Sequence, residues 1–398
     1  MIAGDIYVLF GIDIGKNTHV ASLMDEKAKV IFKAHSFSNT SDGAATLLEK
    51  ITPYAAKLEI GMEATGHYWL SLYSFLIENH FVVHVINPIQ TDGWRKGTEI
   101  RKRKTDIIDS VLIADFIRYG DFLETSLADE DTMSLRNLSR FRNYLVGSIG
   151  DLKRKTICVL DQIFPEYHHA FSDIFGKTSK ELLLQLNSPS DYEDVSSEQL
   201  EELLSQVTLK GYAAKKFKDV SALAKTSFGI TFCVDSFSFQ LKLLIEQINF
   251  IEKQVSDVES QMSELLEKIK TPITTIPGIG NIIGATILGE VGDINRFSSG
   301  AKLVAYAGID ASVSQSGEYE CTNNHMSKRG SPYLRKALFR AAFVASNSDP
   351  VFKAYYQKKR MEGIHHNVAV CAVARKLCYT IYAVVKNNVP YKVQAPRD

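Results

Sequence analysis

A regular apolar seam in the second half of the chain places the strongest constraint on the fold. Its residues recur at alternating spacings of three and four: Leu241, Leu244, Ile248, Ile251, Val255, Val258, Met262, Leu265 and Ile269. This pattern predicts one long coiled-coil helix, whose narrow apolar face cannot bury itself. A partner helix is therefore required, either the segment 135–163 of the same chain or a second protomer. We expect assembly into a homodimer or homotetramer.

The segment 135–163 has the pattern of a helix that stops at Pro165. Its apolar side comprises Leu138, Phe141, Leu145, Ile149, Leu152, Val159 and Ile163. It also carries the basic residues Arg136, Arg140, Arg142, Lys153, Arg154 and Lys155. These cations could bind nucleic acid or merely keep the helix soluble, and the sequence leaves both interpretations open.

The first third of the chain alternates between strand and helix patterns. Strand-like runs lie near 6–14, 18–24, 29–37, 57–63 and 81–86, and helical patterns lie near 42–50 and 67–79. Strands interleaved with helices predict an α/β domain that ends near residue 130. The region from about 170 to 235 carries no motif and is interpreted as a helical, partly acidic insert.

Four acidic residues stand at predicted element ends in this domain. Asp13 ends a buried strand, and Glu63 ends an alternating, half-buried strand before the break at Thr65 and Gly66. Asp106 and Asp109 share one face at the start of a helix.

Four carboxylates brought together would repel one another, because each disfavours ionisation of the others. A hard divalent cation such as Mg²⁺ relieves that repulsion, and pairs of such ions about 3.5–4 Å apart assist phosphoryl transfer. The alternative is that these residues are ordinary capping and surface acids.

Charge is unevenly distributed although the formal net charge is zero. A basic cluster precedes the Asp106 pair and comprises Arg95, Lys96, Arg101, Lys102, Arg103 and Lys104. A basic segment beside a metal site suits a phosphate backbone. A solvated charged loop is the alternative.

Five cysteines without a CxxC pair argue against a disulfide framework, and we find neither a signal peptide nor an apolar stretch long enough to span a bilayer. The sequence therefore predicts a soluble, cytoplasmic protein with no membrane partner.

The last third contains a glycine turn at 276–280, which resembles a helix-hairpin-helix turn or lets two helices approach closely. A serine-rich loop follows, and Ser331 and Pro332 then predict a helix start. This helix carries Arg335, Lys336 and Arg340.

Together these motifs resemble the DEDD transposases of the "IS one-ten" insertion-sequence family. The matching segments, in the family's order, are GIDIGKNTH, EATGHY, KTDIIDS, IPGIG, AYAGI, SQSG and SKRGSPYLRKAL. The resemblance implies an RNase H/RuvC-like domain at 1–130, a helical linker, insert and coiled coil at 131–270, and a mainly α-helical transposase domain at 271–398.

The same resemblance implies a site and partners. Asp13, Glu63, Asp106 and Asp109 would bind Mg²⁺ or Mn²⁺, and Ser316 would be the nucleophile that forms a phosphoserine link with DNA. A structured bridge RNA would pair with donor and target DNA, so that base pairing carries the sequence choice. Lys328, Arg329 and Arg335 are candidate nucleic-acid contacts, and Ser314 and Ser327 are weaker nucleophile candidates.

Three other functions remain open. A hydrolytic transposase or junction resolvase would use water as its nucleophile and form no protein–DNA adduct. An actin-like ATPase or sugar kinase shares the GIDIG turn, but a second glycine-rich phosphate loop is not evident. A catalytically inactive nucleic-acid-binding relic is the third.

Overall fold

The computed structural model describes residues 7–98, 105–122, 129–193, 195–196, 199, 210–310, 315–316, 319–320 and 325–393. The chain divides into two compact units, Met1–Leu127 and Ala128–Asp398. The three-part division expected from the sequence stays a prediction.

A five-stranded sheet forms the centre of the first unit. Its strands are β1 (Val8–Asp13), β2 (Thr18–Asp25), β3 (Val30–Ser38), β4 (Leu58–Glu63) and β5 (Val82–Ile86). They lie in the order β3-β2-β1-β4-β5. The β1–β2 and β2–β3 pairs are antiparallel, whereas β4 is parallel to both β1 and β5. All five predicted strands are confirmed.

Helices cover both faces of this sheet. They are α1 (Ser41–Ile51), α2 (Trp69–Glu78), α3 (Pro88–Thr98) and α4 (Asp106–Tyr119). Phe10 and Ile12 on β1 point to the core shared with α1 and α2, whereas Leu9 packs against α4. Successive side chains on a strand point to opposite faces, so an apolar strand such as β1 is buried on both sides.

Helix α4 lies directly on β1 because Gly11 carries no side chain. A Cβ at Gly11 would lie 2.1 Å from the carbonyl oxygen of Ser110 and 2.4 Å from the amide nitrogen of Ala114. The hydroxyls of Ser22 on β2 and Ser110 on α4 are 2.7 Å apart. These contacts fix the start of α4 over one end of the sheet.

The second unit is mainly helical, with a two-stranded hairpin of β6 (Gln315–Ser316) and β7 (Tyr319–Glu320). Its helices are α5 (Glu130–Ile163), α6 (Lys177–Gln185), α7 (Lys210–Ala224), α8 (Val234–Ile269), α9 (Asn281–Val291), α10 (Gly300–Ala307), α11 (Pro332–Ser348), α12 (Pro350–Met361) and α13 (His366–Asn387).

The predicted seam helix is α8, and it packs along α5 of the same chain. The segment 135–163, which was proposed as the intrachain partner of the seam, is therefore the helix that packs against it. Leu241, Ile248 and Met262 of the seam are buried, but so are Ile245 and Leu266 beside it. The buried face is wider than a coiled-coil seam because α6 and α9 also pack against α8.

Helix α13 is long and apolar enough to span a membrane by length and composition, which the sequence did not lead us to expect. Its apolar residues, including Val370, Val373, Leu377 and Ile381, are buried in the main core of the second unit. We therefore interpret α13 as a core helix.

Candidate active site

Asp13 and Glu63 lie at the carboxyl ends of neighbouring parallel strands. The register pairs Ile12 on β1 with Met62 on β4, so each acid follows a paired residue. Both acids are half-buried, and the Thr65 hydroxyl donates to Glu63 Oε1 at 3.0 Å.

The turn after Asp13 is held by a buried histidine. The Gly15 amide donates to His19 Nδ1 at 3.3 Å. Burial lowers the pKa of His19 and so favours the neutral form of its imidazole. A neutral ring can accept this hydrogen bond without placing a fixed positive charge beside Asp13.

Asp106 and Asp109 occupy the first turn of α4, as predicted. Thr105 caps the helix by accepting a hydrogen bond from the Ile108 amide at 3.3 Å. Asp106 is exposed and lines a surface cavity together with Val20 and Ser36. Since Val20 is the cross-strand partner of Asp13, all four acid-bearing segments meet at one end of the sheet.

Asp109 is buried and forms an ion pair with Arg95 of α3. The distance from Arg95 Nη2 to Asp109 Oδ1 is 3.0 Å, and the two side chains are 17% and 7% exposed. Such a pair compensates a charge that would otherwise be costly to bury. Arg95 was predicted as a nucleic-acid contact, and in the structure its guanidinium forms an ion pair with Asp109.

The four carboxylates suit a hard divalent cation by their chemistry. However, among the described residues, which include all four acids, no three His, Cys, Asp or Glu side chains are grouped to hold a metal ion. A cation would have to compete with Arg95 for Asp109. No reaction step is therefore derived through a metal in this arrangement.

The predicted nucleophile Ser316 lies in β6, opposite Tyr319 of β7. The chain on either side of this region is held together at its base. The Ser327 amide donates to the Asp310 carbonyl at 3.0 Å, and the Lys328 amide donates to the Gly308 carbonyl at 3.0 Å. The Ser327 hydroxyl also donates to the Asp310 carboxylate, which gives this weaker nucleophile candidate a structural partner.

Two glycines permit this close approach. Gly308 has a φ of +66°, and a Cβ there would lie 2.7 Å from the Gly330 amide nitrogen. A Cβ on Gly330 would lie 1.8 Å from the Tyr306 carbonyl oxygen. The AYAGI and SKRG motifs are therefore parts of one contact.

Two arginines attach this base to the helical core. Arg335 of α11 donates from Nη1 to the Gly330 carbonyl at 2.5 Å, and Arg375 of α13 donates from Nε to the Ile309 carbonyl at 2.6 Å. Arg335 was predicted as a phosphate contact, and that remains a prediction. Arg375 was not predicted from the sequence, and it stands beside Lys376, so its charge alone gave no signal of a hydrogen-bonding role.

The other predicted nucleic-acid contacts have varied surroundings. Lys96 pairs with Asp92 at 2.6 Å on the surface of α3, and Lys328 and Arg329 are exposed. Arg101, Lys102, Arg103 and Lys104 lie outside the described residues, as does Ser314.

The basic residues of α5 mainly join helices to one another. Arg140 contacts the fully buried Glu290 of α9 through two hydrogen bonds of 2.7 and 3.1 Å, and this interaction raises the pKa of Arg140. Arg142 donates to Glu259 of α8 at 2.6 Å. Arg136 donates to the Gly289 carbonyl at 3.1 Å. Arg136, Arg140 and Arg142 therefore join α5 to α8 and α9, a role that neither interpretation of the sequence included.

The glycine turn at 276–280 also has a packing role. Gly278 has a φ of +86°, and a Cβ there would lie 2.3 Å from the Ala341 carbonyl oxygen of α11. This contact fits close helix approach, the simpler of the two interpretations. The helix-hairpin-helix interpretation stays a prediction.

Comparison with known proteins identifies two matching family descriptions. Residues 10–165 match a family described as "Transposase", of the DEDD IS110 type, and residues 270–357 match "Transposase IS116/IS110/IS902 family". The 43.6 kDa protein of insertion element IS110 from Streptomyces coelicolor is 24% identical over 74% of this chain and 73% of its own length. The pilin gene-inverting protein of Moraxella bovis is 25% identical over 96% of each chain.

A further relative, the 44.8 kDa protein of insertion element IS116 from Streptomyces clavuligerus, is 24% identical over 95% of this chain and 94% of its own. The α/β unit with its acids and these matches define a DNA recombination enzyme of the transposase class. The chain belongs to the IS110 family of transposases. These matches give no support to the ATPase or sugar-kinase alternative.

Proposed function

We propose that this transposase cleaves and rejoins donor and target DNA through a phosphoserine link on Ser316, with a structured RNA directing the choice of site. The observation that carries the proposal is the convergence of Asp13, Glu63, Asp106 and Asp109 at one end of the sheet. What lies together is the set of segments that bear the acids, and four carboxylates brought to one cation from these segments would suit a metal-assisted phosphoryl-transfer site.

The N-terminal unit is proposed to be RuvC-like. Support comes from its strand order, in which three antiparallel strands are followed by two parallel ones, and from the helix α4 that carries two acids across β1. Mg²⁺ or Mn²⁺ is the proposed cation, and Asp13, Glu63, Asp106 and Asp109 are the residues that would hold it. When bound, it would neutralise charge on the phosphoryl oxygens.

The serine step conserves the energy of the phosphodiester. Ser316 Oγ attacks phosphorus, the bond from phosphorus to one deoxyribose oxygen breaks, and that oxygen takes up a proton as the strand end leaves. The Ser316 proton passes to a base or to solvent. In the second step the hydroxyl of a new strand end attacks the phosphoserine, which rejoins DNA and restores serine without ATP.

Rejoining distinguishes this proposal from the hydrolytic alternative. A relative that spans nearly the whole chain is named a pilin gene-inverting protein. Inversion of a DNA segment requires that both of its ends be joined again, which hydrolysis alone does not achieve. Support for the RNA partner comes from the family resemblance, and we extend the proposal to a homodimer or homotetramer.

The experiment combines the purified protein, Mg²⁺, RNA transcribed from the flanking element, and labelled donor and target DNA. A denaturing gel is then examined for a protein–DNA adduct. We expect an adduct that requires RNA and Mg²⁺, is lost in Ser316→Ala, and is kept in Ser314→Ala, the matched control two residues away in the sequence.

Three outcomes would revise the proposal. Cleaved DNA without an adduct would favour water as the nucleophile. An adduct that persists in Ser316→Ala and disappears in Ser314→Ala would reassign the serine. An adduct formed equally well without RNA would contradict the proposed role of RNA in directing the reaction.

A further inference from the structure

A cavity of about 320 Å³ lies beside the start of α1, on the face of the sheet that α1 and α2 cover. Its floor consists of buried side chains, those of His19, Phe37, Ala44 and Leu72. Because His19 and Val20 are consecutive residues of β2, they point to opposite faces of the sheet. Val20 lines the cavity at Asp106, so the cavity at His19 is separate from that one.

His19 brings an unpaired hydrogen-bond donor to this floor. The residue is 1% exposed, and its Nδ1 accepts from the Gly15 amide at 3.3 Å. Since Nδ1 accepts, the proton of the neutral ring lies on Nε2, which is therefore a donor. Nε2 is buried, and no residue in the described part of the chain forms a hydrogen bond with it. A buried donor without an acceptor is costly, so a ligand oxygen that accepts from Nε2 would be favoured.

Asn39 shows where this donor points. Burial lowers the pKa of His19 and the nearby Asn39 side chain raises it in part, yet Asn39 completes no hydrogen bond with Nε2. The Asn39 amide donates instead to the Lys16 carbonyl at 3.1 Å. Gly15 occupies the Nδ1 side of the ring, so Nε2 faces Asn39 and the cavity that Asn39 lines.

The start of α1 adds further donors at the mouth of the cavity. Thr40 accepts from the Gly43 amide at 3.2 Å, which leaves the amides of Ser41 and Asp42 without an acceptor inside the helix. Exposed hydroxyl groups surround the mouth, those of Ser38, Thr40, Ser41 and Ser71. Among the described residues, no lysine or arginine lines the cavity, so its donors are neutral. Neutral donors at the positive end of a helix dipole favour an oxyanion.

The arrangement of these donors favours a phosphate over a carboxylate. They come from β2, α1 and α2, and so from several directions. A phosphate monoester presents three oxygens that point in different directions, whereas a carboxylate presents two in one plane. The rest of the cavity is bounded by Phe37, Leu72 and Phe75, and about 320 Å³ is at the lower end of the volumes that hold small organic ligands. An organic group attached to the phosphate would pack there.

We propose that this cavity binds a small phosphomonoester, whose phosphate accepts from His19 Nε2 and the start of α1 and whose organic part packs against Phe75. A nucleoside monophosphate has this chemistry, and so has the phosphorylated end of a nucleic-acid strand. The proposal goes beyond strand transfer and depends neither on Ser316 nor on a cation at the four acids.

Isothermal titration calorimetry of the full-length protein tests the ligand class. The probes are inorganic phosphate, acetate, adenosine and adenosine 5′-monophosphate (AMP). We expect AMP to bind more tightly than phosphate, and adenosine and acetate to bind more weakly than either. Competition with a short DNA strand then identifies the source. Displacement of AMP by the 5′-phosphorylated strand, and not by the same strand without its phosphate, would indicate a strand end, and no displacement by either would indicate a free nucleotide.

The variant His19→Asn separates the two contacts of His19. The shorter side chain keeps an oxygen that can accept from the Gly15 amide, but nothing replaces Nε2 as the donor at the cavity floor. We expect AMP affinity to fall about ten-fold, as for loss of one hydrogen bond to a charged group. A melting curve shows whether the variant is folded.

Ser41→Pro and Ser41→Ala test the helix start without disturbing the floor. Both remove the hydroxyl, but only proline removes the amide donor. Proline is favourable at the first position of a helix, and Thr40, with φ −140° and ψ 165°, already has the extended backbone that a following proline requires. We expect Ser41→Pro to bind AMP about ten-fold more weakly than Ser41→Ala, without loss of thermal stability.

Two further variants serve as controls. Glu130→Pro changes the corresponding first position of α5 and should bind AMP as the wild type does. Asp42→Asn removes an exposed acid from the first turn of α1 and should bind AMP about three-fold more tightly, because the acid opposes an anion there.

The proposal is overturned if neither phosphate nor AMP binds, if adenosine or acetate binds as tightly as AMP, or if folded His19→Asn and Ser41→Pro bind AMP like the wild type. These titrations use neither RNA nor Mg²⁺ and do not detect an adduct. A failure here is therefore distinguishable from a failure of the Ser316 chemistry.

Discussion

At the residue scale, the ability of the four acids to bind a cation depends on the side chain with which each carboxylate is already paired. The positions of the four acids were predictable, because each stands at the end of a recognisable strand or at the start of a helix. The Arg95–Asp109 pair was not, since it depends on how α3 and α4 pack and not on any spacing along the chain. The sequence placed Arg95 among nucleic-acid contacts for its charge alone.

The pair leads to a prediction for Arg95→Gln. The substitution leaves Asp109 buried without its ion-pair partner, which costs about 3 kcal/mol of unfolding free energy in metal-free protein. It also removes the cation that competes with a divalent ion for Asp109. We therefore expect a lower melting temperature in EDTA, and tighter Mn²⁺ binding measured by electron paramagnetic resonance.

Lys96→Gln is the matched control on the same helix. Its pair with Asp92 joins side chains that are 75% and 50% exposed, so its loss changes stability by at most about 0.5 kcal/mol. Weaker Mn²⁺ binding in Arg95→Gln would instead show that Arg95 supports the cation site.

At the scale of elements, the sequence predicted the sheet well because its strands are apolar runs or alternating segments bounded by turns. Helices α1 and α2 were predicted from apolar periodicity in the same way. The sequence around Ser316 gave motifs but no periodicity, so the hydrogen bonds from Arg335 to Gly330 and from Arg375 to Ile309 could not be derived. Hydrogen bonds to backbone carbonyls leave no pattern along the chain.

Contact between α4 and β1 gives the second prediction. In Gly11→Ala the new methyl group meets the backbone of Ser110 and Ala114, and backbone cannot move aside as a flexible side chain does. We expect α4 to shift from β1 and the unfolding free energy to fall by roughly 3 kcal/mol, as for severe overpacking. Urea denaturation followed by circular dichroism measures this loss.

Gly147→Ala serves as the comparison, because nothing lies within 4 Å of a Cβ at this position inside α5. Alanine has the higher helix propensity, so this variant should be more stable by about 1 kcal/mol. Equal effects of the two substitutions would mean that the α4–β1 contact is looser than described.

At the scale of the whole molecule, the seam of α8 illustrates what sequence periodicity leaves open. The pattern required a partner helix but could not distinguish a second protomer from α5, since both offer an apolar face. In the structure α5 supplies that partner, so the seam by itself gives no reason for oligomerisation. Assembly into a homodimer or homotetramer would have to use other surfaces.

Ile248→Asp tests this directly. Ile248 is fully buried, so an aspartate there buries an unpaired charge and should cost several kcal/mol. Because the seam closes within one chain, we expect the second unit to lose helicity and unfold, as measured by circular dichroism and multi-angle light scattering. Phe250→Asp, at a position 63% exposed, should leave both signals unchanged. A folded Ile248→Asp monomer obtained from a wild-type oligomer would instead place the seam between protomers.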